Sequence, residues 1–361
     1  MTATVMITTG GTGGHVFPGL AVADALRERG ANVFWLGTRD GMEATLVPKH
    51  GVAFESVSFR GVRGKGVKTF VLGPFALVAA SLEARAVIKR RDPKVVLGLG
   101  GFASFPGALM AVATGRPLVV HDANAVAGLA NRVLAHGADR ILLGFPNAMR
   151  GKHAKLCEWT GNPLRAAMTR VAPPPQRFAD RSGPLRLLVV GGSLGAQGLN
   201  ERVPAAVARL SSVQRPQILH QAGAKHIDAL KAAYRDAGVE AECVAFIEDM
   251  AERYAWADFA IARGGAITVS ELAAVGLGAL IVPLPGAIAD EQTANAELLV
   301  NAKAAFRIAQ DDLTVDALAA LLGRIDRATA LDMAIAANSV GKTDAAERVA
   351  EVCLGLAEAR R

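Results

Sequence analysis

Two glycine clusters, each placed after a short apolar run, are the features of this sequence with the clearest chemistry. The first cluster spans residues 10–15 and follows residues 4–7, whereas the second spans residues 191–195 and follows residues 187–190. A strand that ends in glycines and then enters a helix brings backbone N–H groups and a helix N-terminus to one point, where anions bind. Two such loops predict two similar α/β domains facing each other across a cleft that suits a large phosphate-bearing ligand.

The first loop ends in His15, which could donate to a phosphate or act as a base near neutral pH. The alternative is a histidine that only supports the loop. The loop is a poor match to the dinucleotide-binding fingerprint G-x-G-x-x-G, because its third glycine would fall on Val16. The acid required further along has only Asp40 as a loose candidate, so the pattern favours phosphate binding without a dinucleotide.

The second loop also satisfies G-x-S-x-G, the nucleophile elbow of α/β hydrolases, with Ser193 as the nucleophile. That fold requires an acid and then a histidine after the serine. The only histidines downstream are His220 and His226, and the only acid between Ser193 and them is Glu201, in the helix just after the loop. The hydrolase hypothesis fails because this only acid lies in the helix that directly follows the serine, and Ser193 is predicted to bind a phosphate oxygen.

Two polar segments in the second half offer further binding groups. In residues 263–271, Thr268 and Glu271 form the pattern T-x-x-E, which is either a helix capping box or a carboxylate placed for a ribose diol. Residues 290–295 are densely polar and follow a buried run. Binding residues gather at the carboxyl ends of strands in open α/β sheets, so both segments are predicted to face a ligand.

A basic segment with Arg60, Arg63, Lys65 and Lys68 leads into the apolar residues 69–78. Cations beside exposed apolar side chains would dock on an anionic membrane surface or on a lipid pyrophosphate. The alternative is a solvated loop followed by a core helix.

The elements that position these residues follow from composition and periodicity. Of the 361 residues, 51% are hydrophobic and only 5% aromatic, as expected for helices packed on buried parallel strands. Strand-like runs alternate with helical patterns, which predicts doubly wound parallel sheets. The predicted strands are residues 4–7, 33–36, 95–97, 118–120, 141–143, 187–190, 217–220, 244–247, 259–261 and 280–282.

The length favours two domains. A junction at residues 161–163 predicts a first domain of residues 1–163 and a second domain of residues 164–343. The final helix, within about residues 344–361, is expected to cross back onto the first domain. Residues 95–115 lack charge, but their glycines and proline predict a strand, a loop and a short helix instead of a membrane span.

Charge and cysteine usage narrow the class of partner. The net charge is +7, yet scarce aromatic residues and scattered basic ones argue against nucleic acid. The three cysteines stand apart, which fits a reducing compartment and argues against structural zinc. The N-terminus leads directly into a strand-like run, so no signal peptide is expected. No D-x-D occurs, so no metal–diphosphate clamp is expected.

Taken in order, these motifs resemble the MurG family of bacterial N-acetylglucosaminyltransferases, glycosyltransferase family 28. The resemblance covers nearly the whole chain and rests on residues 10–19, 60–66, 98–102, 161–165, 191–196 and 266–271, followed by Gln292 and Asn295. It implies the two-domain GT-B fold and transfer of N-acetylglucosamine from UDP-N-acetylglucosamine to the muramyl 4-hydroxyl of lipid I (undecaprenyl-pyrophosphoryl-N-acetylmuramyl-pentapeptide), which gives lipid II. It also implies inversion, no metal or cofactor, and peripheral attachment to the cytoplasmic face of the inner membrane.

The same resemblance implies that the first domain binds the acceptor and the membrane and that the second binds UDP-N-acetylglucosamine. It also assigns roles to individual residues. Arg165 and Ser193 would hold the UDP diphosphate, Ile247 the uracil, Glu271 the ribose and Gln292 the sugar hydroxyls. From the first domain, His15 would be the base or would contact the acceptor pyrophosphate. The whole predicted donor site is Thr12, Gly13, Gly14, Asn124, Arg165, Ser193, Ile247, Ala266, Ile267, Thr268, Val269, Ser270, Glu271, Gln292 and Asn295. The acceptor and membrane residues are Arg60, Arg63, Lys65 and Lys68.

Two departures from the family pattern and three alternatives stand beside this interpretation. Asp122 and Ala123 occupy positions where Glu and Gln are expected, and Gly264 stands where Ser is common. The alternatives are a related transferase with another lipid acceptor such as diacylglycerol, a nucleotide-sugar epimerase, and a non-catalytic anion- or nucleotide-binding protein. The glycine-rich loop of residues 10–15 and the basic loop of residues 60–66 favour a pyrophosphate acceptor over a neutral one.

Overall fold

The computed structural model describes residues 3–59, 66–149, 151, 153–192, 195–287 and 290–359, and for residues 66–72 the backbone alone. The chain divides into two compact units. The first unit contains the residues up to Ala166 together with those from Thr343 onward, and the second is Ala167–Lys342.

The first unit is built on a seven-stranded parallel sheet. Its strands are β1 (Thr4–Thr8), β2 (Asn32–Thr38), β3 (Ala53–Val57), β4 (Val95–Gly98), β5 (Leu118–Asp122), β6 (Arg140–Leu143) and β7 (Cys157–Trp159). Its helices are α1 (Gly13–Glu28), α2 (Glu43–Lys49), α3 (Gly66–Arg91), α4 (Ser104–Ala113), α5 (Leu129–Leu134) and, from the end of the sequence, α15 (Ala345–Ala359).

The second unit is built on a six-stranded parallel sheet. Its strands are β8 (Arg186–Val190), β9 (Gln217–Gln221), β10 (Glu242–Val244), β11 (Phe259–Ala262), β12 (Gly278–Ile281) and β13 (Ala305–Arg307). Its helices are α6 (Ala166–Thr169), which starts at the boundary, α7 (Pro174–Phe178), α8 (Gln197–Ala208), α9 (Ile227–Asp236), α10 (Met250–Trp256), α11 (Ala266–Val275), α12 (Glu291–Asn301), α13 (Val315–Leu322) and α14 (Arg327–Val340).

Alternation along the strands supplies an apolar core on each face of the first sheet. In β1, Val5 and Ile7 join the core that contains α1, whereas Met6 joins the core beneath α3 and α4. Successive side chains of a strand point to opposite faces, so both faces of a covered parallel strand must be apolar. This explains why the strands read as continuous apolar runs.

Helix α15 completes the core on the α1 side. Its buried residues recur at helical spacing and include Val349, Ala350 and Cys353. On its exposed side Arg348 forms a bidentate pair with Glu158, with Nε–Oε1 at 2.6 Å and Nη2–Oε2 at 3.1 Å. The last helix of the chain is therefore part of the first unit's core.

Strand order places both glycine loops at equivalent points. The orders are β3-β2-β1-β4-β5-β6-β7 and β10-β9-β8-β11-β12-β13. In each sheet the order reverses direction beside the first strand, and ligands of open α/β sheets bind at such a switch point. The loops after β1 and β4, and those after β8 and β11, therefore lie where ligand binding is expected.

The predicted fold class is confirmed, with small corrections. The strand predicted for residues 244–247 is wrong in its bounds, because β10 ends at Val244 and Ile247 lies in the following loop. Residues 95–115 form β4, a loop and α4, as predicted. Among the residues described, no helix is both long and apolar enough to span a bilayer.

Candidate functional site

The first glycine loop leaves an uncapped helix N-terminus. Thr12 is the N-cap residue of α1 in an extended conformation, but its hydroxyl makes no capping hydrogen bond. Within the described parts of the chain, the N–H groups of Thr12, Gly13 and Gly14 have no acceptor. Free N–H groups at the start of a 16-residue helix, together with the helix dipole, are chemically suited to bind an anion.

The loop after β4 packs directly against the first glycine loop. Gly100 and Gly101 both have positive φ, at 80° and 75°. A Cβ on Gly101 would lie 2.8 Å from the carbonyl oxygen of Gly10 and 3.4 Å from the His15 ring. The Thr9 hydroxyl donates to the Gly100 carbonyl at 3.0 Å. Glycine at 101 is therefore what lets the two loops approach each other and lets the imidazole rest on the backbone.

His15 has the environment of a neutral imidazole. Burial lowers its pKa below the ordinary 6.5, while the charge of Asp122 and the backbone of Leu99 act in the opposite direction. Its Nδ1 is buried and has no hydrogen-bond partner among the described residues. A neutral histidine at pH 7 with an unused ring nitrogen is chemically able to accept a proton.

Asp122, at the end of β5, organises the next loop. Its carboxylate accepts hydrogen bonds from the backbone of Asn124 at 3.1 Å, the backbone of Gly128 at 3.0 Å and the side chain of Asn131 at 2.9 Å. The residue that departs from the family pattern is thus buried and fully engaged. It fixes the turn that carries Asn124.

Arg165 lies in the first unit, on the side of α1 near the glycine loop. Its guanidinium stacks over the Phe17 ring at 5.3 Å from the centroid. The Phe17 ring is also the neighbour that a Cβ on Gly13 would touch. The structure therefore brings Arg165 and the first glycine loop together, although sequence position alone had placed Arg165 in the second domain.

In the second unit, the loop between β8 and α8 is shaped by glycines that no larger residue could replace. Gly192 and Gly195 have φ values of 86° and 78°, and a Cβ on Gly195 would collide with the carbonyl of Ala222. The Gln221 amide donates to the Gly192 carbonyl at 2.8 Å, and the Asn200 amide donates to Ala222 at 3.1 Å. Ser193 lies outside the described residues.

The capping-box interpretation of Thr268 and Glu271 is wrong. Helix α11 begins at Ala266 with Gly265 as its N-cap, so Thr268 is already inside the helix. A cap of the expected kind occurs at α13, where the Thr314 hydroxyl accepts from the Ala317 N–H at 3.1 Å. The N-terminus of α11, which follows β11 at the switch point, has no side-chain cap.

Glu271 lies on α11, one and a half turns in, and is 8% exposed. Its Oε2 accepts a hydrogen bond from the Tyr254 hydroxyl at 3.3 Å. Sequence analysis missed Tyr254, which is one of only two tyrosines in the chain. Of the predicted residues that precede Glu271 on α11, Ala266, Ile267 and Thr268 are partly exposed, whereas Val269 and Ser270 are buried.

Gln292 and Asn295, on α12, tie the loops after β11 and β12 together. The Gln292 Oε1 accepts from the N–H groups of Gly264 at 3.2 Å and Leu284 at 2.9 Å. The Asn295 amide is fully buried and donates to the Gly264 carbonyl at 3.0 Å. A Cβ on Gly264 would collide with the Gln292 backbone, which gives a local reason for glycine here.

Of the remaining predicted residues, one lies in a loop, one lies in α3, and three lie outside the described residues. Ile247 is buried in the loop between β10 and α10. Arg60, Arg63 and Lys65 lie outside the described residues, and Lys68 lies in α3 where the backbone alone is described. In the part of the chain that is described, no three His, Cys, Asp or Glu side chains form a group that could hold a metal ion.

Comparison with known proteins matches both units. Residues 5–143 match the glycosyltransferase family 28 N-terminal domain, and residues 186–349 match the family 28 C-terminal domain. A UDP-N-acetylglucosamine--N-acetylmuramyl-(pentapeptide) pyrophosphoryl-undecaprenol N-acetylglucosamine transferase of Dechloromonas aromatica is 51% identical over 358 residues, covering 99% of this chain and 100% of the relative. A protein of the same name from Verminephrobacter eiseniae is 53% identical, covering 98% of each chain.

Solved structures agree. The crystal structure of Acinetobacter baumannii MurG has a TM-score of 0.84 and 35% identity over 98% of this chain and 99% of that one. A UDP-N-acetylglucosamine 2-epimerase has a TM-score of 0.68 at 14% identity, covering 100% of this chain and 98% of its own, and shows the fold alone. The two α/β domains are those of the GT-B fold, as predicted. With both domain profiles matched and full-length relatives above half identity, the chain belongs to glycosyltransferase family 28.

Proposed function

We propose that this protein transfers N-acetylglucosamine from UDP-N-acetylglucosamine to the 4-hydroxyl of the N-acetylmuramyl sugar of lipid I, giving lipid II. The observation that carries the proposal is identity of 51–53% to transferases named for this reaction, over nearly the full length of both chains. The neighbours that are named as UDP-N-acetylglucosamine 2-epimerases are 14% identical and support only the shared fold.

The donor is assigned to the second unit. Glu271 binds the ribose, Gln292 the sugar hydroxyls and the Ile247 backbone the uracil. The uncapped N-termini of α8 and α11 support this assignment, because their N–H groups and dipoles favour the charged diphosphate. Ser193 adds a hydroxyl to the diphosphate in this proposal. Thr268 lies in the first turn of α11 and is partly exposed, as a donor contact requires.

The acceptor is assigned to the first unit. The free N–H groups of Thr12, Gly13 and Gly14 hold its pyrophosphate or the transferred sugar, and Asn124 contributes from the neighbouring loop. His15 removes the proton from the muramyl 4-hydroxyl. Its lowered pKa supports this role, because the neutral, proton-accepting form then predominates at pH 7.

The chemistry is an inverting displacement. The deprotonated hydroxyl attacks the anomeric carbon from the face opposite UDP, the bond to the diphosphate oxygen breaks, and UDP leaves. Negative charge that collects on the diphosphate is stabilised by Arg165, Ser193 and the helix N-termini, which need no metal ion to do so.

The protein is proposed to work as a peripheral protein on the cytoplasmic face of the inner membrane. On α3, Phe75, Val78 and Leu82 are 73%, 61% and 59% exposed. Their spacing places them on one helix face, and the basic segment of residues 60–68 precedes them in the sequence. An apolar stripe beside cations is typical of a surface that docks on an anionic bilayer.

The deciding experiment is transfer of labelled N-acetylglucosamine to a lipid I analogue with EDTA present, with diacylglycerol as the control acceptor. Transfer to the lipid I analogue alone, undiminished by EDTA, is the expected result. Labelling of diacylglycerol alone would overturn the acceptor assignment, and loss of transfer on chelation would overturn the metal-free mechanism. Absence of turnover with either acceptor would contradict the assignment as a transferase.

A further inference from the structure

A fully buried carboxylate lies beside the first glycine loop. Glu43 is the first residue of α2 and is 0% exposed. Within the described part of the chain it forms no ion pair. Its Oε2 accepts from the Gly11 N–H at 3.1 Å, and its Oε1 accepts from the Thr38 N–H at 2.9 Å and the Thr38 hydroxyl at 2.7 Å. A buried carboxylate is stable only when such donors replace its water.

Three glycines from separate segments make room for this carboxylate. A Cβ on Gly10, Gly37 or Gly41 would come closer to the Glu43 side chain than real Cβ atoms ever approach other atoms. Each of these positions therefore excludes larger residues because of Glu43. Glycine at these three positions leaves room for one buried carboxylate beside the loop.

Glu43 joins the glycine loop to the end of β2. On the same side, the Trp35 indole N–H donates to the Thr9 carbonyl at 3.0 Å. On the other side, the Thr9 hydroxyl binds the Gly100 carbonyl. The loop is thus fixed through Thr9 and Gly11, directly before the residues whose N–H groups are free.

The four consecutive N–H groups of residues 11–14 therefore differ in whether they have an acceptor. Gly11, with φ of 103°, turns its N–H to the carboxylate, whereas the next three have no acceptor among the described residues. Loss of the carboxylate would break its hydrogen bond to the part-buried Gly11 N–H, and the loop would no longer be held in this position. Thr12, Gly13, Gly14 and the His15 ring would move with it.

We propose that Glu43 is a positioning residue for the transfer reaction, which fixes the Gly11 N–H so that the loop and His15 meet the anionic acceptor in one geometry. The inference rests on the proposed function for its kinetic consequence. Its structural consequence, a loop held by the carboxylate, can be measured whatever reaction the protein catalyses.

The test compares wild type with Glu43→Gln in the full chain. The amide keeps the size of the side chain, but its NH2 group must face an N–H or O–H donor on one side. We expect kcat/KM for the acceptor to fall by about tenfold or more, as loss of one buried hydrogen bond allows. We expect the Kd for UDP, whose proposed contacts lie mainly in the second unit, to stay unchanged. Hydrogen exchange across residues 9–16 should become at least about tenfold faster.

Two further variants keep the result interpretable. Thr38→Val removes only the hydroxyl donor and should give the same pattern at smaller size if Glu43→Gln fails to fold. Asp139→Asn is the matched control, because Asp139 also accepts a backbone N–H, from Leu118 at 2.9 Å, at the amino ends of β5 and β6. It should leave acceptor kinetics and loop exchange unchanged.

Unchanged exchange over residues 9–16 in Glu43→Gln would overturn the proposal even if activity fell. Faster exchange with wild-type acceptor kinetics would overturn it as well, because the loop geometry would then be irrelevant to transfer. A wild-type protein without transferase activity would overturn the proposed function, while the exchange measurement would still decide whether Glu43 holds the loop.

Discussion

At the scale of single residues, the first glycine loop combines a histidine kept neutral with N–H groups kept free. Burial lowers the His15 pKa, and Asp122 moderates the shift. Asp122 itself holds Asn124 and Asn131 in place. The same carboxylate therefore shapes the loop and sets the proton affinity of the neighbouring imidazole.

The pH dependence of transfer should report this environment. Neutral His15 is the active form, so kcat/KM falls as pH drops through its lowered pKa. We expect the acid limb to lie below pH 6.5, measured as kcat/KM for the acceptor from pH 5 to 8. His15→Asn should lower kcat by about 100-fold or more and remove that limb. An acid limb at or above pH 6.5 in wild type would argue against His15 as the base.

Arg165→Ala should lower turnover by about 100-fold, because one preorganised donor to the leaving diphosphate would be lost. Labelled-sugar transfer at saturating donor measures it. Arg170→Ala removes an exposed arginine five residues further on and serves as the control, with near-normal turnover expected. Near-normal turnover in Arg165→Ala would contradict a role in binding the diphosphate and would leave only the packing of the guanidinium on Phe17.

At the scale of elements, the bare helix ends are informative. Helices α1, α8 and α11 begin at switch-point loops without side-chain caps, whereas α13 and α14 have Thr314 and Asp326 as regular caps. Capping groups satisfy the first N–H groups of a helix, and their absence leaves those groups to a ligand. Seven other described helices, α2, α4, α5, α7, α9, α10 and α12, also begin without a side-chain cap. It is therefore their position at the switch-point loops that distinguishes α1, α8 and α11, and in our proposal the substrates bind there.

For α11, Glu271→Ala should raise the Kd for UDP by about tenfold, as loss of a charged hydrogen bond does. Isothermal titration with UDP measures the effect, and a thermal melt checks that the fold persists. Glu240→Ala, an exposed glutamate of the same unit, is the matched control. Unchanged UDP affinity would contradict ribose binding by Glu271 and would leave it only its hydrogen bond with Tyr254.

For α3, replacing Phe75, Val78 and Leu82 together by Ser should weaken binding to phosphatidylglycerol vesicles by about tenfold or more, since each apolar side chain contributes to partitioning. Co-sedimentation measures the bound fraction. Val213→Ser removes an equally exposed apolar residue, 88% accessible, from the second unit and should bind as wild type does. Equal binding by the triple variant would mean that α3 does not face the bilayer.

At the scale of the whole molecule, both units contain buried histidines that resist protonation. His15 and His121 in the first unit and His220 in the second all have pKa values lowered by burial. A group whose pKa is lower in the folded than in the unfolded state binds fewer protons when folded. Stability is therefore lost as pH falls below the unfolded value of 6.5.

His220 gives this effect a magnitude. Burial lowers its pKa to about 3, and its Nδ1 lies 2.9 Å from the Tyr234 hydroxyl oxygen. Between pH 7 and pH 5 the free energy of unfolding of the second unit should fall by about 2 kcal/mol from this group alone. Urea unfolding at the two pH values measures it, and His220→Gln should show a correspondingly smaller pH dependence. Equal pH dependence in variant and wild type would refute the assignment.

The sequence pattern predicted the fold well where strands are buried on both faces and less well at the sheet edges. Apolar runs such as residues 187–190 match a strand almost to the residue, because both faces of that strand are covered. The edge strand β3 escaped prediction because three of its five residues are only partly buried and Glu55 and Ser56 interrupt the apolar pattern. The edge strand β13 has only three residues, too few for any periodicity.

The sequence predicted those site residues that belong to short motifs, but not those whose partners lie far away in the sequence. Glycine loops and His15 are short motifs, so spacing reveals them. Glu43 and Tyr254 act on partners 32 and 17 residues away, and no spacing rule connects them. The clustering of Gly37 and Gly41 around an acidic residue was the available signal for Glu43. Three-dimensional proximity, not residue type, identifies such groups.

The return of α15 onto the first unit has a consequence for how the protein is made. The core beside α1 includes Ala346, Val349, Ala350, Cys353 and Ala357, which are synthesised after the whole of the second unit. Domains usually fold in the order in which they are synthesised. Here the first sheet is synthesised early with one apolar face incomplete, and the second unit can fold before α15 covers that face. Chaperones that bind nascent apolar surfaces therefore have a defined target, which disappears only when synthesis of this helix is complete.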